Sequence, residues 1–193
     1  MSDNSINRPD FDAIVSLVPQ KAKTLDLGCA DGILLARLTS EKQVIARGVE
    51  IDESKARAAI ARGLSVRQGN IEEGLADYPD AAFDYVILSQ TLAYLNYPAP
   101  VVRDMLRVGK FAVISFDNAA YWRTRLVAAQ GKGFGAAVGS NSPRERAITL
   151  SQFEEFCAAQ GAKIERSLLL GRRWHTTLPS WRAKMAVYVI RAG

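Results

Sequence analysis

Thr24-Leu25-Asp26-Leu27-Gly28-Cys29-Ala30-Asp31-Gly32 is a short apolar strand that ends in a glycine-rich turn. Asp31 stands where a helix can begin, and Ile33, Leu34, Leu35 and Leu38 then share one face through Leu38. Such a turn lets a ligand come close to the backbone, and the helix start supplies free N–H groups. The spacing is not the G-x-G-x-x-G of dinucleotide sites, and no Lys-Ser/Thr pair ends it as in a P-loop. Asp26 would repel a pyrophosphate and suits an ammonium group. That chemistry points to S-adenosylmethionine, which carries an amino-acid end and a sulfonium charge.

The same alternation extends on both sides of this stretch. Before it, Asp10 is positioned to cap a helix to about Val18 with Phe11, Ile14, Val15 and Val18 on one face, and Pro19 stops it. After it come a strand at Val44–Glu50, a helix from Glu53 to about Ala61 capped by Asp52 and ended by Gly63, and a strand at Leu64–Gln68. A helical turn at Ile71–Ala76 leads to a strand at Phe83–Leu88, a helix at Pro98–Val108 and a fifth strand at Lys110–Phe116. Strand ends recur about every 20 residues, as right-handed βαβ units require. The pattern predicts a parallel sheet covered on both faces.

Beyond Phe116 the pattern changes. Ala119–Ala129 reads as helical, and residues 131–147 as a lid or loop rich in Gly, Ser and Asn. Ser151–Gln160 reads as a helix with Ser151 and Glu154 as its capping box. Ala162–Leu170 and Lys184–Ile190 read as strands whose 13-residue connection is too short for a helical crossover, so an antiparallel hairpin is expected.

The 193 residues fit one domain, with residues 1–9 expected to be flexible, and the 48% apolar content supplies a core. Lys and Arg outnumber Asp and Glu by 25 to 20, a net +5 that does not call for nucleic acid. Cys29 and Cys157 form no metal-ligand spacing, and one histidine leaves no zinc site, so no metal is expected. No apolar run reaches the roughly 18 residues of a membrane span. A reduced, cytoplasmic protein is the expectation.

Four further residue groups would join Asp26 and Gly28 at the carboxyl ends of the strands, where open α/β sheets bind ligands. Glu50 can accept hydrogen bonds from two ribose hydroxyls, with Ile51 against adenine. Asn70 can meet the adenine edge, with Ile71 as a second apolar wall. Ser89 and Gln90 would face the reacting end, with Tyr121 near the substrate side. Each has a plainer reading. Glu50 suits a solvated strand end, Gly69-Asn70 a turn, Gln90 a cap, Cys29 small filler and Tyr121-Trp122-Arg123 an aromatic core face. The joint spacing favours the ligand reading. Arg172, Arg173, Trp174, His175, Trp181, Arg182 and Lys184 read either as a partner surface or as a solvated loop.

The chain resembles the class I S-adenosylmethionine-dependent methyltransferases and, more narrowly, the MetW family of methionine-biosynthesis proteins. The matching stretches are Leu25–Cys29 with Asp31-Gly32, Gly48–Asp52, Gly74–Asp77, Phe83–Leu92, Met105–Gly109 and Trp122-Arg123. The resemblance implies an α/β, Rossmann-like sheet, mostly parallel with a C-terminal antiparallel hairpin and helices on both faces. It places Asp26, Gly28 and Gly32 at the methionine moiety, Glu50 at the ribose, and Asn70 with Ile71 at adenine, with S-adenosylhomocysteine as product. It implies a small-molecule methyl acceptor or, alternatively, a non-catalytic role activating a homoserine O-acyltransferase. Ala30 replaces the middle glycine usual in the turn, Asn70 stands where an acid is usual, and residues 131–147 lack the aromatic, Pro-rich segment of MetW-like chains. No Asn-Pro-Pro-aromatic signature follows the fourth strand, which argues against DNA adenine methylation.

Overall fold

The computed structural model describes residues 8–130, 146–171 and 179–193. Continuous apolar runs such as Val86–Leu88 are strands buried on both faces, and the packing divides them by alternation. Val86, Leu88, Ala112 and Ile114 turn to one core, while Ile87 and Val113 turn to the other. Seven strands make one sheet: β1 (Lys23–Leu27), β2 (Ile45–Glu50), β3 (Val66–Gln68), β4 (Phe83–Ser89), β5 (Gly109–Asp117), β6 (Ala162–Leu170) and β7 (Met185–Ala192). Their order is β3-β2-β1-β4-β5-β7-β6. The first five are parallel, and β7 runs antiparallel between β5 and β6, so the expected C-terminal hairpin is present.

Helices cover both faces. On one, α4 (Pro98–Val108) buries Val101, Val102, Met105 and Val108, a helical repeat, beside Phe153 and Cys157 of α6 (Leu150–Ala159). On the other, α1 (Pro9–Leu17) and α2 (Ile33–Lys42) bury Phe11, Ile14, Leu34 and Leu38. α3 (Glu53–Ala61) follows β2, α5 (Trp122–Ala129) follows β5, and α7 (Pro179–Arg182) precedes β7. Chain order reverses between β1 and β4, and the carboxyl ends of those two strands open a crevice there.

Several local expectations are corrected. Asp10 does not cap α1; Arg8 holds that position, Pro9 takes the first turn where its missing N–H is harmless, and Asp10 lies inside the helix, fully buried. Arg8 and Pro9 are thus placed rather than loose, while residues 1–7 lie outside the described residues. α2 begins at Ile33, two residues after Asp31, because the turn continues through Gly32 in the left-handed region. The cap of α6 is Thr149, paired with Gln152 in a capping box, instead of Ser151 with Glu154. Ile71–Glu73 is a single 3₁₀ turn, and α5 starts at Trp122 instead of Ala119. Of the proposed lid, residues 131–145 lie outside the described residues, as do Arg172, Arg173, Trp174 and His175.

Candidate functional site

The glycine-rich turn is held by its neighbours. Gly28 and Cys29 both donate their backbone N–H to the Val49 carbonyl, at 2.8 and 3.2 Å. Gly28 has φ +72°, and a side chain there would meet the Thr91 hydroxyl at 2.8 Å. Both facts require glycine. Ala30 also has a positive φ, 49°, and its N–H donates to Glu50 Oε2 at 2.8 Å. Asp52 N–H donates to Glu50 Oε1 at 2.9 Å. The Glu50 carboxylate therefore stitches the turn after β1 to the turn after β2. Asp52 in turn caps α3 through the Ser54 and Lys55 N–H groups, as its sequence position foretold.

Two adjoining hollows open at the crevice. The larger, about 510 Å³, is lined by Gly28, Ala30, Glu50, Ile51, Asn70, Ile71, Ser89 and Gln90, and also by Arg8, Lys55, Gly69, Glu72, Thr91, Tyr94 and Leu95. The smaller, about 90 Å³, is lined by Asp26, Cys29 and Asp31 among others. Arg8, Gly28, Ala30 and Ser89 line both, so the small hollow is an inner end of the large one. A cleft of this size accommodates a nucleoside with an amino-acid arm.

The inner end is lined by ionisable side chains. Asp26 is 2% exposed, and its Oδ1 has no hydrogen-bond partner among the described residues. Burial pushes its carboxyl up to about 8; nearby Asp10 and Glu50 push the same way and Arg8 opposes them. Beside it lies a buried network that the sequence did not announce. Arg8 donates from Nε to Asp10 Oδ1 at 3.1 Å and from Nη2 to Asp10 Oδ2 at 2.7 Å. The same Nη2 donates to Ser89 Oγ at 2.7 Å, and the hydroxyls of Ser89 and Ser115 donate to Asp10 Oδ2 at 2.7 and 2.9 Å. Arg8 also sits over the Phe11 ring, 4.4 Å from its centroid. The available sequence signal was Arg8-Pro9-Asp10, a basic and an acidic residue flanking a helix-starting proline.

Other proposed residues play mixed parts. Asn70 caps the 3₁₀ turn by accepting from Glu72 N–H at 3.0 Å, the plainer of its two readings, and it also lines the cleft. Gln90 has φ +55°, and its side-chain Nε2 is buried with no partner among the described residues. Cys29 is buried and its thiol is pushed up by burial and by Asp26, which leaves no reactive thiolate. Gly32 lines neither hollow; its φ is +81°, and a side chain there would meet Ala59 of α3 and Leu64 beyond it, so backbone and packing both call for glycine. Tyr121 also lines neither, and its ring packs edge-on against Trp122 at 5.9 Å. No cluster of three metal-ligating side chains occurs among the described residues.

A family model described as methionine biosynthesis protein MetW matches residues 8–190. A bifunctional methionine biosynthesis protein MetXA/MetW of Rhodopirellula baltica is 36% identical over 134 residues, which is 64% of this chain and 21% of that protein. The chain thus spans about a fifth of that relative. Among solved structures, an S-adenosylmethionine-dependent methyltransferase of Methanosarcina mazei has a TM-score of 0.73 at 14% identity, covering 96% of this chain and 98% of the other. The magnesium protoporphyrin IX methyltransferase of Synechocystis, with bound S-adenosylhomocysteine, has a TM-score of 0.71 at 14% identity, covering 95% and 82%. At such identities the likeness is one of fold.

Proposed function

The chain belongs to the MetW family of methionine-biosynthesis proteins and has the class I methyltransferase fold, and from that premise we propose that its cleft binds S-adenosylmethionine and its product S-adenosylhomocysteine. The observation that carries this reading is the convergence of Asp26, Glu50 and the positive-φ turn on one cleft at the β1/β4 crevice. Glu50 spends one lone pair of each oxygen on a backbone N–H, which fixes the carboxylate and leaves acceptor capacity for ribose hydroxyls. Ile71 and the exposed Ile51 offer apolar walls for a base, and Asn70 keeps its amide beside them. Asp26, unpartnered and buried, matches an ammonium.

When bound, the cofactor supplies an activated methyl group. The protein's own part is then to orient an acceptor and exclude water, which requires no strong base. Gln90 lines the same cleft, and on this reading its side chain orients a small-molecule acceptor. Calorimetry with S-adenosylhomocysteine tests the reading. Wild type binds measurably, and Glu50→Ala weakens binding about tenfold or more, since two charge-assisted hydrogen bonds are lost. A wild type that binds neither cofactor nor product refutes it.

A second reading is favoured by one observation, the relative in which a MetW portion is fused to MetXA. On it, this chain is the non-catalytic partner of a homoserine O-acyltransferase. Co-purification with such an enzyme and an acyltransferase assay with and without this chain decide it; an unchanged rate and solubility reject it.

A further inference from the structure

We infer that Arg8 is a specificity residue of the cleft: its guanidinium receives the α-carboxylate of the ligand's amino-acid end while Asp26 receives the ammonium, and Asp10 is the positioning residue that holds Arg8 for this task. The inference rests on the S-adenosylmethionine reading and deepens it. Three observations carry it. Arg8 and the unpartnered, buried Asp26 carboxyl line the same small hollow, a fixed cation beside an acid that an arriving ammonium can ionise, which complements a zwitterion. Arg8 spends Nε and Nη2 on Asp10 and Ser89, and Nη1 has no hydrogen bond among the described residues. Its side chain keeps 32% of its surface exposed while Asp10 keeps none, so the pair is anchored on the protein side and open on the cleft side.

Asp10 is itself over-determined. It accepts from Arg8 twice, from Ser89 and from Ser115, residues 79 and 105 positions away. Such a fork fixes the guanidinium plane, so little rotamer freedom remains to be lost on binding. A solvated surface arginine would need no buried carboxylate behind it. The first turn of α1 thereby becomes a wall of the ligand site, although it precedes the glycine-rich turn by some 20 residues.

The test compares three probes by calorimetry: S-adenosylhomocysteine, its decarboxylated counterpart that keeps the amine, and 5′-methylthioadenosine, which lacks the whole arm. Wild type is expected to bind S-adenosylhomocysteine about 10–100-fold tighter than the decarboxylated compound, the worth of a charge-assisted pair. Arg8→Gln closes that gap and moves 5′-methylthioadenosine by less than about twofold. Because Arg8→Gln strands a buried carboxylate, Arg8→Gln with Asp10→Asn is the second variant, and thermal melting checks both. The same closure is expected of the double variant. The inference fails if the gap persists in the folded variants, if all three probes weaken alike, or if wild type shows no gap. A wild type that binds none of the probes overturns the cofactor reading as well, whereas tight but indiscriminate binding overturns Arg8 alone.

Discussion

Asp26 is an acid kept in conditions that penalise its charge. Its carboxyl has an ordinary value of 3.8 and is pushed to about 8 in the folded chain. Between those values the unfolded chain has released the proton while the folded chain retains it, so the unfolded state binds fewer protons. Stability contributed by this group is complete below about pH 4 and is lost as pH rises to about 8. Asparagine does not titrate. Asp26→Asn is therefore expected to resemble wild type in stability near pH 4 and to surpass it progressively toward pH 8, read as urea midpoints across that range. Parallel profiles would show that Arg8 keeps the carboxylate ionised throughout. The variant should also lose affinity for S-adenosylhomocysteine, since an ammonium in the cleft draws the proton off Asp26 and pairs with the carboxylate so formed, which asparagine cannot supply; that loss separates a functional carboxyl from a merely tolerated one. That Asp26, Glu50 and Asn70 would come together around one cleft was legible, because strand ends and glycine turns are local patterns. Arg8 was not, since its partner Ser89 lies 81 positions away and only the folded sheet joins them. Gly32 lines neither hollow, and its φ of +81° and its closeness to Ala59 already call for glycine; a glycine demanded by the backbone and one demanded by a ligand look identical in a sequence.

At the scale of elements, strands and helices were readable while their ends were not. Pro98–Val108 emerges at its expected bounds because proline opens it and the apolar repeat fills its buried face. α6 shifted by one residue, because Thr149, Ser151, Gln152 and Glu154 offer two capping boxes in overlapping register. Burial decides between them. Starting at Leu150 places Leu150, Phe153 and Cys157 in the core, and Phe153 then packs on Phe116 and Tyr188 at 4.8 and 4.7 Å. Thr149 accepts from Gln152 N–H, and the Gln152 side chain accepts from Thr149 N–H in return. Thr149→Ala is expected to cost about 1 kcal/mol in chemical denaturation. Ser151→Ala, which under the sequence reading would remove the cap, is expected to stay within about 0.5 kcal/mol. Equal losses would restore the other register.

The whole molecule divides its labour along the sheet. β1 to β4, with α1 and the segment after β4, build the cleft, while the β6–β7 hairpin extends the sheet past β5. The cleft draws residues from position 8 to position 95, so every segment it joins must be folded for it to exist. Whatever binds there binds only the folded chain and stabilises it by RT ln(1 + [L]/Kd), about 2.7 kcal/mol at a hundredfold excess over Kd. For a chain of this length each kcal/mol raises the melting temperature by about 2–4 °C, so saturating S-adenosylhomocysteine is expected to raise it by roughly 5–10 °C. Repeating the scan with Glu50→Ala at the same ligand concentration separates specific from general effects: the rise should shrink, because a tenfold weaker Kd removes about 1.4 kcal/mol of that linkage. An undiminished rise in that variant would place the ligand somewhere other than the β1/β4 crevice. An absent rise in wild type would leave the fold without its cofactor, and the fusion of MetW to MetXA in the relative would then point to a partner as what this cleft-bearing fold serves.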